Sequence, residues 1–277
     1  MKTMMSHSNA YLQFPLYTNF PLEVDFIEKA HAKEIKVIAI VHDINSLRGL
    51  RNDIQKDISI LNQFDLITLP SRAAKSVLER HNLITPVVVQ ENPFDFLTTA
   101  PLKTAHFSKI VNFAGNISYS KAVFLKNMRD VTMHVYGSNL DFELPNNIKY
   151  LGKLSNDELV EHLGNGFGLL WDAGEINKPT FKSYEKYNWQ YKLSLYLAAG
   201  IIPVADKMSN VGKWLKFNGC GITISDLEDL HGELLTISRS KYETLQNEVK
   251  LQQHRVREGY YTQKLVSSIE KSLEISV

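Results

Sequence analysis

Two hydrophobic periods alternate along this chain. Residues 10–15 (AYLQFP) read as a strand, 21–34 (PLEVDFIEKAHAKE) carry apolar residues at helical spacing, and 35–41 (IKVIAIV) form a continuous run, apolar at every position but Lys36. A run of that length without alternation suits a parallel strand covered on both faces. A helix over 53–62, a strand at 65–70 (DLITLP), a helix opened by Ser71 as N-cap and a strand at 86–90 (PVVVQ) follow. Residues 93–105 hold two prolines and no clear period, and read as a linker.

A second series then begins. Strands are expected at 109–116 (KIVNFAGN), 131–137 (VTMHVYG), 167–173 (FGLLWDA), 201–206 (IIPVAD) and 221–225 (GITIS). Between them, 120–128 (SKAVFLKNM) reads as a helix. So does 155–163, where Ser155 and Glu158 form a capping box. The segment 186–200 (KYNWQYKLSLYLAAG) is a further helix whose buried face is Leu193, Tyr196, Leu197 and Gly200, with Gly200 ending it. Asp226 can cap the next helix, and the chain from Lys241 on reads as two amphipathic helices.

Strand–helix alternation in two series predicts an α/β fold of two Rossmann-like, doubly wound domains facing a cleft. The expected division is 1–98 for a short first domain, 106–260 for the second, and 261–277 for a final helix. That helix either crosses back to the first domain or joins subunits of a homo-oligomer. The first series offers about four strands where a complete domain of this kind has five or six. The first domain is therefore expected to be reduced, or incomplete at its N-terminus.

Composition narrows the function. With 277 residues and 44% apolar content the chain can bury a core. Lys plus Arg number 31 against 30 for Asp plus Glu, which lacks the basic excess of a duplex-binding protein. Cys220 is the single cysteine, read as a small buried side chain, so no internal disulfide forms. The first twenty residues lack a signal-peptide core and no apolar stretch is long enough to span a bilayer. A soluble, cytoplasmic protein is the expectation. The histidines lack metal-ligand spacing, and neither a dinucleotide fingerprint nor a Walker motif occurs.

In open parallel sheets, ligands bind beyond the carboxyl ends of the strands, which selects the candidates. Gly115 and Asn116 lie in a strand-to-helix turn that either meets an anion or is simply a turn. Tyr136 at the next strand end either stacks on a base or belongs to the core, and Gly137 gives backbone access. Trp171 and Asp172 close another apolar strand, and Asp172 either accepts sugar hydroxyls or caps a turn. Tyr187, Asn188 and Lys192 stand at the head of the 186–200 helix, where unpaired N–H groups and the dipole favour a phosphate. Lys192 is unfavourable there by itself, so it either meets an anion or snorkels to solvent.

Taken together, FAGN, YG, GLLWDAGE and KYNWQYKLSLYLAAGIIPV resemble, in order and spacing, a bacterial GT-B glycosyltransferase group. It comprises the glucosyltransferase 3 enzymes of adhesin glycosylation and galactofuranosyltransferase-like relatives. VIAIVHDINSLR in the first series is similar too. The resemblance covers most of the chain and is most specific over 168–204. It implies retaining, metal-independent transfer of a sugar from a nucleotide donor, usually UDP-linked, to a glycan or glycoprotein acceptor, with no cofactor beyond the donor.

By the same resemblance, Gly115 and Asn116 lie by the diphosphate or the hinge, and Tyr136 and Gly137 line the base pocket. Tyr187, Asn188 and Lys192 hold ribose and phosphates, and Ser194 and Leu195 lend backbone N–H groups. The absence of a D-x-D stretch agrees with metal-free chemistry, in which Lys192 and the helix terminus stabilise the leaving diphosphate. His42 and Asp43 would face the donor across the cleft, as base or sugar contact or as a satisfied loop pair. Arg48 and Arg51 would hold phosphate or acceptor, or stay solvated. Where the family has Asn-x-Pro-His-Lys, this chain has Asn188-Trp189-Gln190-Tyr191-Lys192, a departure in the pocket itself. That departure and the short first domain keep a second reading open, a glycosyltransferase-like partner that binds without turnover. A nucleotide-sugar epimerase lacks its fingerprint.

Overall fold

The computed structural model describes residues 8–16, 20–50, 53–173 and 181–275. The chain divides into two compact units, Met1–Glu91 with Lys264–Val277, and Asn92–Gln263. The first contains β1 (Asn9–Phe14), α1 (Phe20–His31), β2 (Lys36–Val41), α2 (Ile54–Leu61), β3 (Leu66–Leu69), α3 (Arg72–Arg80) and β4 (Val87–Val89). Its strands form one parallel sheet in the order β1-β2-β3-β4. The mainly apolar runs become the central strands. Val37 to Val41 and all of β3 are buried, as parallel strands covered by crossover helices must be. Leu265, Ile269 and Leu273 pack on Ile38, Ile40 and Leu66. Ser71 caps α3 as expected, its hydroxyl accepting the Ala74 N–H at 3.1 Å.

The second unit runs β5 (His106–Asn116), α4 (Tyr119–Ala122), β6 (Met133–Ser138), β7 (Ile148–Tyr150), α5 (Asn156–His162), β8 (Asn165–Leu170), α6 (Phe181–Tyr184) and α7 (Tyr191–Ala199). It continues with β9 (Ile202–Asp206), α8 (Asn210–Asn218), β10 (Ile222–Ile224), α9 (Asp229–Thr236), α10 (Arg239–Arg257) and the start of α11 (Tyr260–Ile275). Six strands form a second parallel sheet, β10-β9-β8-β5-β6-β7. The strand β5 is central: the chain first builds outward through β6 and β7, then returns to the other side of β5 with β8.

Several local expectations are revised. The 120–128 segment is not one helix. It is the short α4 followed by a 3-10 stretch, Val123–Asn127, which buries Phe124 and Leu125 in a tighter turn. α9 starts at Asp229 with Glu228 as its N-cap, and the Asp226 carboxylate instead accepts the Leu227 N–H. The first of the final helices begins at Arg239 behind Ser238, whose hydroxyl accepts the Lys241 N–H. α7 is buried all round from Leu193 to Ala199, where one buried face was expected. It lies between the sheet and α10, whose glutamines cap its C-terminal carbonyls. Gln246 Nε2 donates to Gly200 O at 2.7 Å and Gln253 Nε2 to Ala198 O at 3.1 Å. The strand β7 and the helix α8 have no counterpart in the sequence reading. The Ser155–Glu158 capping box is present at α5.

Candidate active site

The order of the second sheet places a topological switch point between β5 and β8, where a doubly wound sheet opens a crevice at its carboxyl edge. The last paired residues of these two strands are Asn112 and Gly168. Beyond them Tyr196 of α7 intervenes. Its ring lies over Gly168, where a Cβ would come within 2.5 Å of it. Its hydroxyl accepts the Ala114 N–H at 3.0 Å and donates to Leu169 O at 3.2 Å. A side-chain hydroxyl thus replaces the backbone ladder where the strands part. On the other side of β5, Gly137 has φ +148° and a Cβ there would stand 1.8 Å from Gly115 O, so only glycine lets the two strand ends approach.

Lys192, in the first turn of α7, turns in to the carboxyl ends of β5 and β8. Its side chain is 15% exposed. Its Nζ lies 3.2 Å from Trp171 O, 3.3 Å from Asp172 Oδ1 and 4.5 Å from the Phe113 ring centroid. A Cβ on Gly115 would stand 3.7 Å from Lys192 Cδ, so the alkyl stem runs along the end of β5. The alternative of snorkelling to solvent is therefore excluded. α7 opens without a side-chain cap, because Gln190 at its N-cap is otherwise engaged. Gln190 Nε2 donates to Asp172 Oδ2 at 3.0 Å and to Glu185 Oε1 at 3.2 Å.

Charge in this region is dense and organised. Burial disfavours the ionised Asp172, but Lys192, the Gln190 amide and Lys121 overcome that and hold its carboxyl below the usual range. Glu185 is 2% exposed. Its Oε1 accepts the Asp172 N–H at 2.8 Å, and its Oε2 accepts from Lys182 Nζ at 2.7 Å. Burial pushes its pKa up to about 7, with Lys182 offsetting only part of that cost. Lys182 also reaches Asp206 Oδ2 at 2.8 Å and lies over the Trp171 ring.

Gly115, Asn116, Gly137, Trp171, Asp172 and Lys192, all selected from the sequence, thus gather along the carboxyl edge of the sheet. Asn116 Oδ1 folds back to accept from Ser118 N at 3.0 Å and Asn139 Nδ2 at 3.3 Å. Other candidates sit differently. Tyr136 and Leu195 belong to the buried core. The Ser194 hydroxyl donates to Phe94 O at 2.6 Å. Tyr187 packs near Tyr184, and Asn188 O accepts from Asn210 Nδ2 at 3.4 Å.

In the first unit, His42 follows β2 and its Nε2 meets Gln13 Oε1. Burial lowers its pKa, against the opposing effect of Asp43. Asp43 pairs with Arg48 at 3.0 Å. Arg51 lies outside the described residues, as do Gly174 and Glu175 of the GLLWDAGE segment. Lys182, Glu185 and Asp206 escaped the sequence reading, which marked Gln190 only as a departure from the family pattern. The only trace of Lys182 and Glu185 there is an acid three residues after a lysine among aromatics, which any surface helix also shows. Among the described residues no cluster of three His, Cys, Asp or Glu side chains is placed to hold a metal, and no helix is long and apolar enough to cross a membrane.

Comparison with solved structures identifies the fold. HepE of Anabaena, solved with UDP-glucose, superposes with a TM-score of 0.62 at 14% identity, covering 95% of this chain and 78% of its own. TarM of S. aureus, solved with UDP, fondaparinux and α-GlcNAc-glycerol, gives 0.61 at 13% identity over 90% of this chain and 58% of its own. The fold is that of a GT-B glycosyltransferase.

The family follows from sequence models. The glucosyltransferase 3-like N-terminal domain matches residues 2–92, and the glucosyltransferase 3-like C-terminal domain matches residues 111–269. The chain belongs to the glucosyltransferase 3-like family. It is 24% identical over 259 residues to glucosyltransferase 3 of Streptococcus parasanguinis, covering 92% of this chain and 76% of that protein. The Streptococcus gordonii enzyme is equally similar over 258 residues. The protein is accordingly a glycosyltransferase.

Proposed function

We propose that the chain transfers a sugar from a UDP-linked donor to a glycan or glycoprotein acceptor, with retention at the anomeric carbon and without a metal ion. The observation that carries this reading is the Lys192 ammonium, turned inward at the uncapped start of α7 and beside the glycine end of β5. A cation at a helix start that no side chain caps is a favourable place for a diphosphate. UDP bound to HepE and to TarM supports the choice of nucleotide. As the bond from the anomeric carbon to the diphosphate oxygen breaks, negative charge grows on the leaving group, and Lys192 stabilises it where a metal would otherwise serve. Asp172 keeps Lys192 oriented, Gly115 and Asn116 give the diphosphate room, and Tyr187 and Asn188 border the ribose. On the first unit, His42 and Asp43 are the candidates for a base or a sugar contact.

Titration with UDP tests the reading. The wild-type chain should bind UDP and melt at a higher temperature with it. Lys192→Met should weaken binding about ten- to a hundredfold, the value of a charge-assisted hydrogen bond of roughly 1.5–3 kcal/mol. Failure of UDP to bind, or equal affinity in the variant, removes the diphosphate assignment.

A further inference from the structure

Behind Asp172, the partner of Lys192, one buried side chain ties together Asp172, Gln190 and Lys182. Glu185 Oε1 holds the Asp172 N–H at 2.8 Å and Gln190 Nε2 at 3.2 Å, and its Oε2 holds Lys182 at 2.7 Å. Its backbone carbonyl accepts the Asn210 N–H at the start of α8 at 2.9 Å. Gln190 in turn holds Asp172 Oδ2, and the other oxygen of Asp172 meets Lys192. Glu185 therefore fixes the end of β8 and the N-cap of α7, between which Lys192 is suspended.

Granting that Lys192 receives the diphosphate of a nucleotide sugar, we propose that Glu185 is a positioning residue. It holds Asp172 and Gln190, and through them the Lys192 ammonium, and its charge sets the attraction of the site for the donor's anion. The charged groups around it are Lys182 from α6, Asp172 after β8, Asp206 of β9 through Lys182, Lys192 of α7, and Lys121 of α4 through Asp172. With Glu185 ionised, Lys121, Lys182 and Lys192 balance Asp172, Glu185 and Asp206. With Glu185 protonated, one positive charge is left over. The change falls near neutrality, because burial brings the Glu185 pKa to about 7. An incoming diphosphate favours the protonated form, so affinity falls as pH rises through that value, and binding takes up a proton.

The test is calorimetric titration of the full chain with UDP-glucose, whose diphosphate diester does not itself titrate near neutral pH. Wild-type affinity should weaken roughly three- to tenfold between about pH 6 and about pH 8.5, the effect of one charge at intermediate dielectric. Glu185→Gln should bind with no such pH dependence. Lys182→Met removes the cation that favours ionised Glu185 and should move the loss of affinity to higher pH. A wild-type affinity independent of pH, or an unchanged profile in Glu185→Gln, overturns the proposal. If Glu185→Gln does not fold, Lys182→Met decides, and an unmoved midpoint refutes the role. No binding by the wild-type chain at any pH is a different result, and it refutes the diphosphate reading instead.

Discussion

Replacing Tyr196 with phenylalanine removes one oxygen and leaves the ring in place over Gly168. The hydroxyl is wholly buried, and it is the partner of the Ala114 N–H and a donor to Leu169 O. Without it, one N–H on β5 is stranded away from water, at a cost of about 1–3 kcal/mol, and one further hydrogen bond worth roughly 0.5–1.5 kcal/mol is lost. Because the volume is nearly unchanged, no cavity term is added. The expected destabilisation is therefore about 2–4 kcal/mol. Urea unfolding followed by tryptophan fluorescence measures it in the right place, since Trp171, Trp189 and Trp214 all belong to the second unit. For a unit of this size the loss corresponds to roughly 5–12 °C in Tm. The substitution should also weaken UDP binding, because Ala114 and Leu169 lead directly into Gly115 and the Trp171–Asp172 pair. A change below about 0.5 kcal/mol would show that water or a strand shift satisfies both groups, and that the hydroxyl does not hold the crevice open.

Two further outcomes follow from the same geometry. Gly137→Ala places a methyl 1.8 Å from Gly115 O at φ +148°. It should cost about 2–4 kcal/mol by chemical denaturation, and lower UDP affinity as the ends of β5 and β6 are forced apart. Cys220 is buried, and its thiol pKa is pushed up to about 12, first by desolvation. The native chain should resist thiol-specific reagents at neutral pH and react fully in denaturant, and rapid labelling of the folded chain would contradict the burial.

Some of the site was legible before folding and some was not, for definable reasons. Gly115, Trp171 and Asp172 were legible as candidates because a rule of position connects strand ends to ligands, and strand ends can be read from where apolar runs stop; Lys192 was legible because a lone cation is unfavourable at a helix N-terminus. Glu185 and Lys182 were missed because their significance is their burial, and no period in KSYEKYN shows it. Tyr196 was read as an ordinary packing residue, since nothing local shows that its hydroxyl finishes a strand pairing. The 120–128 helix was overcalled because apolar spacing does not distinguish an α-helix from a short α turn followed by a 3-10 stretch.

Local chemistry in the chain determined the two strand–helix series, the capping of α3 and α5, and the stop of α7 at Gly200, because hydrophobic period, cap residues and glycine act over a few neighbours. Only the tertiary structure decided which strand lies beside β5, that α7 is buried on every side, and that Lys192 turns inward. Those outcomes depend on groups far apart in sequence, such as Tyr196 with Ala114 or Gln253 with Ala198. Desolvation, which shifts Glu185 toward neutrality and makes Asp172 depend on Lys192, does not exist until those groups have excluded water between them.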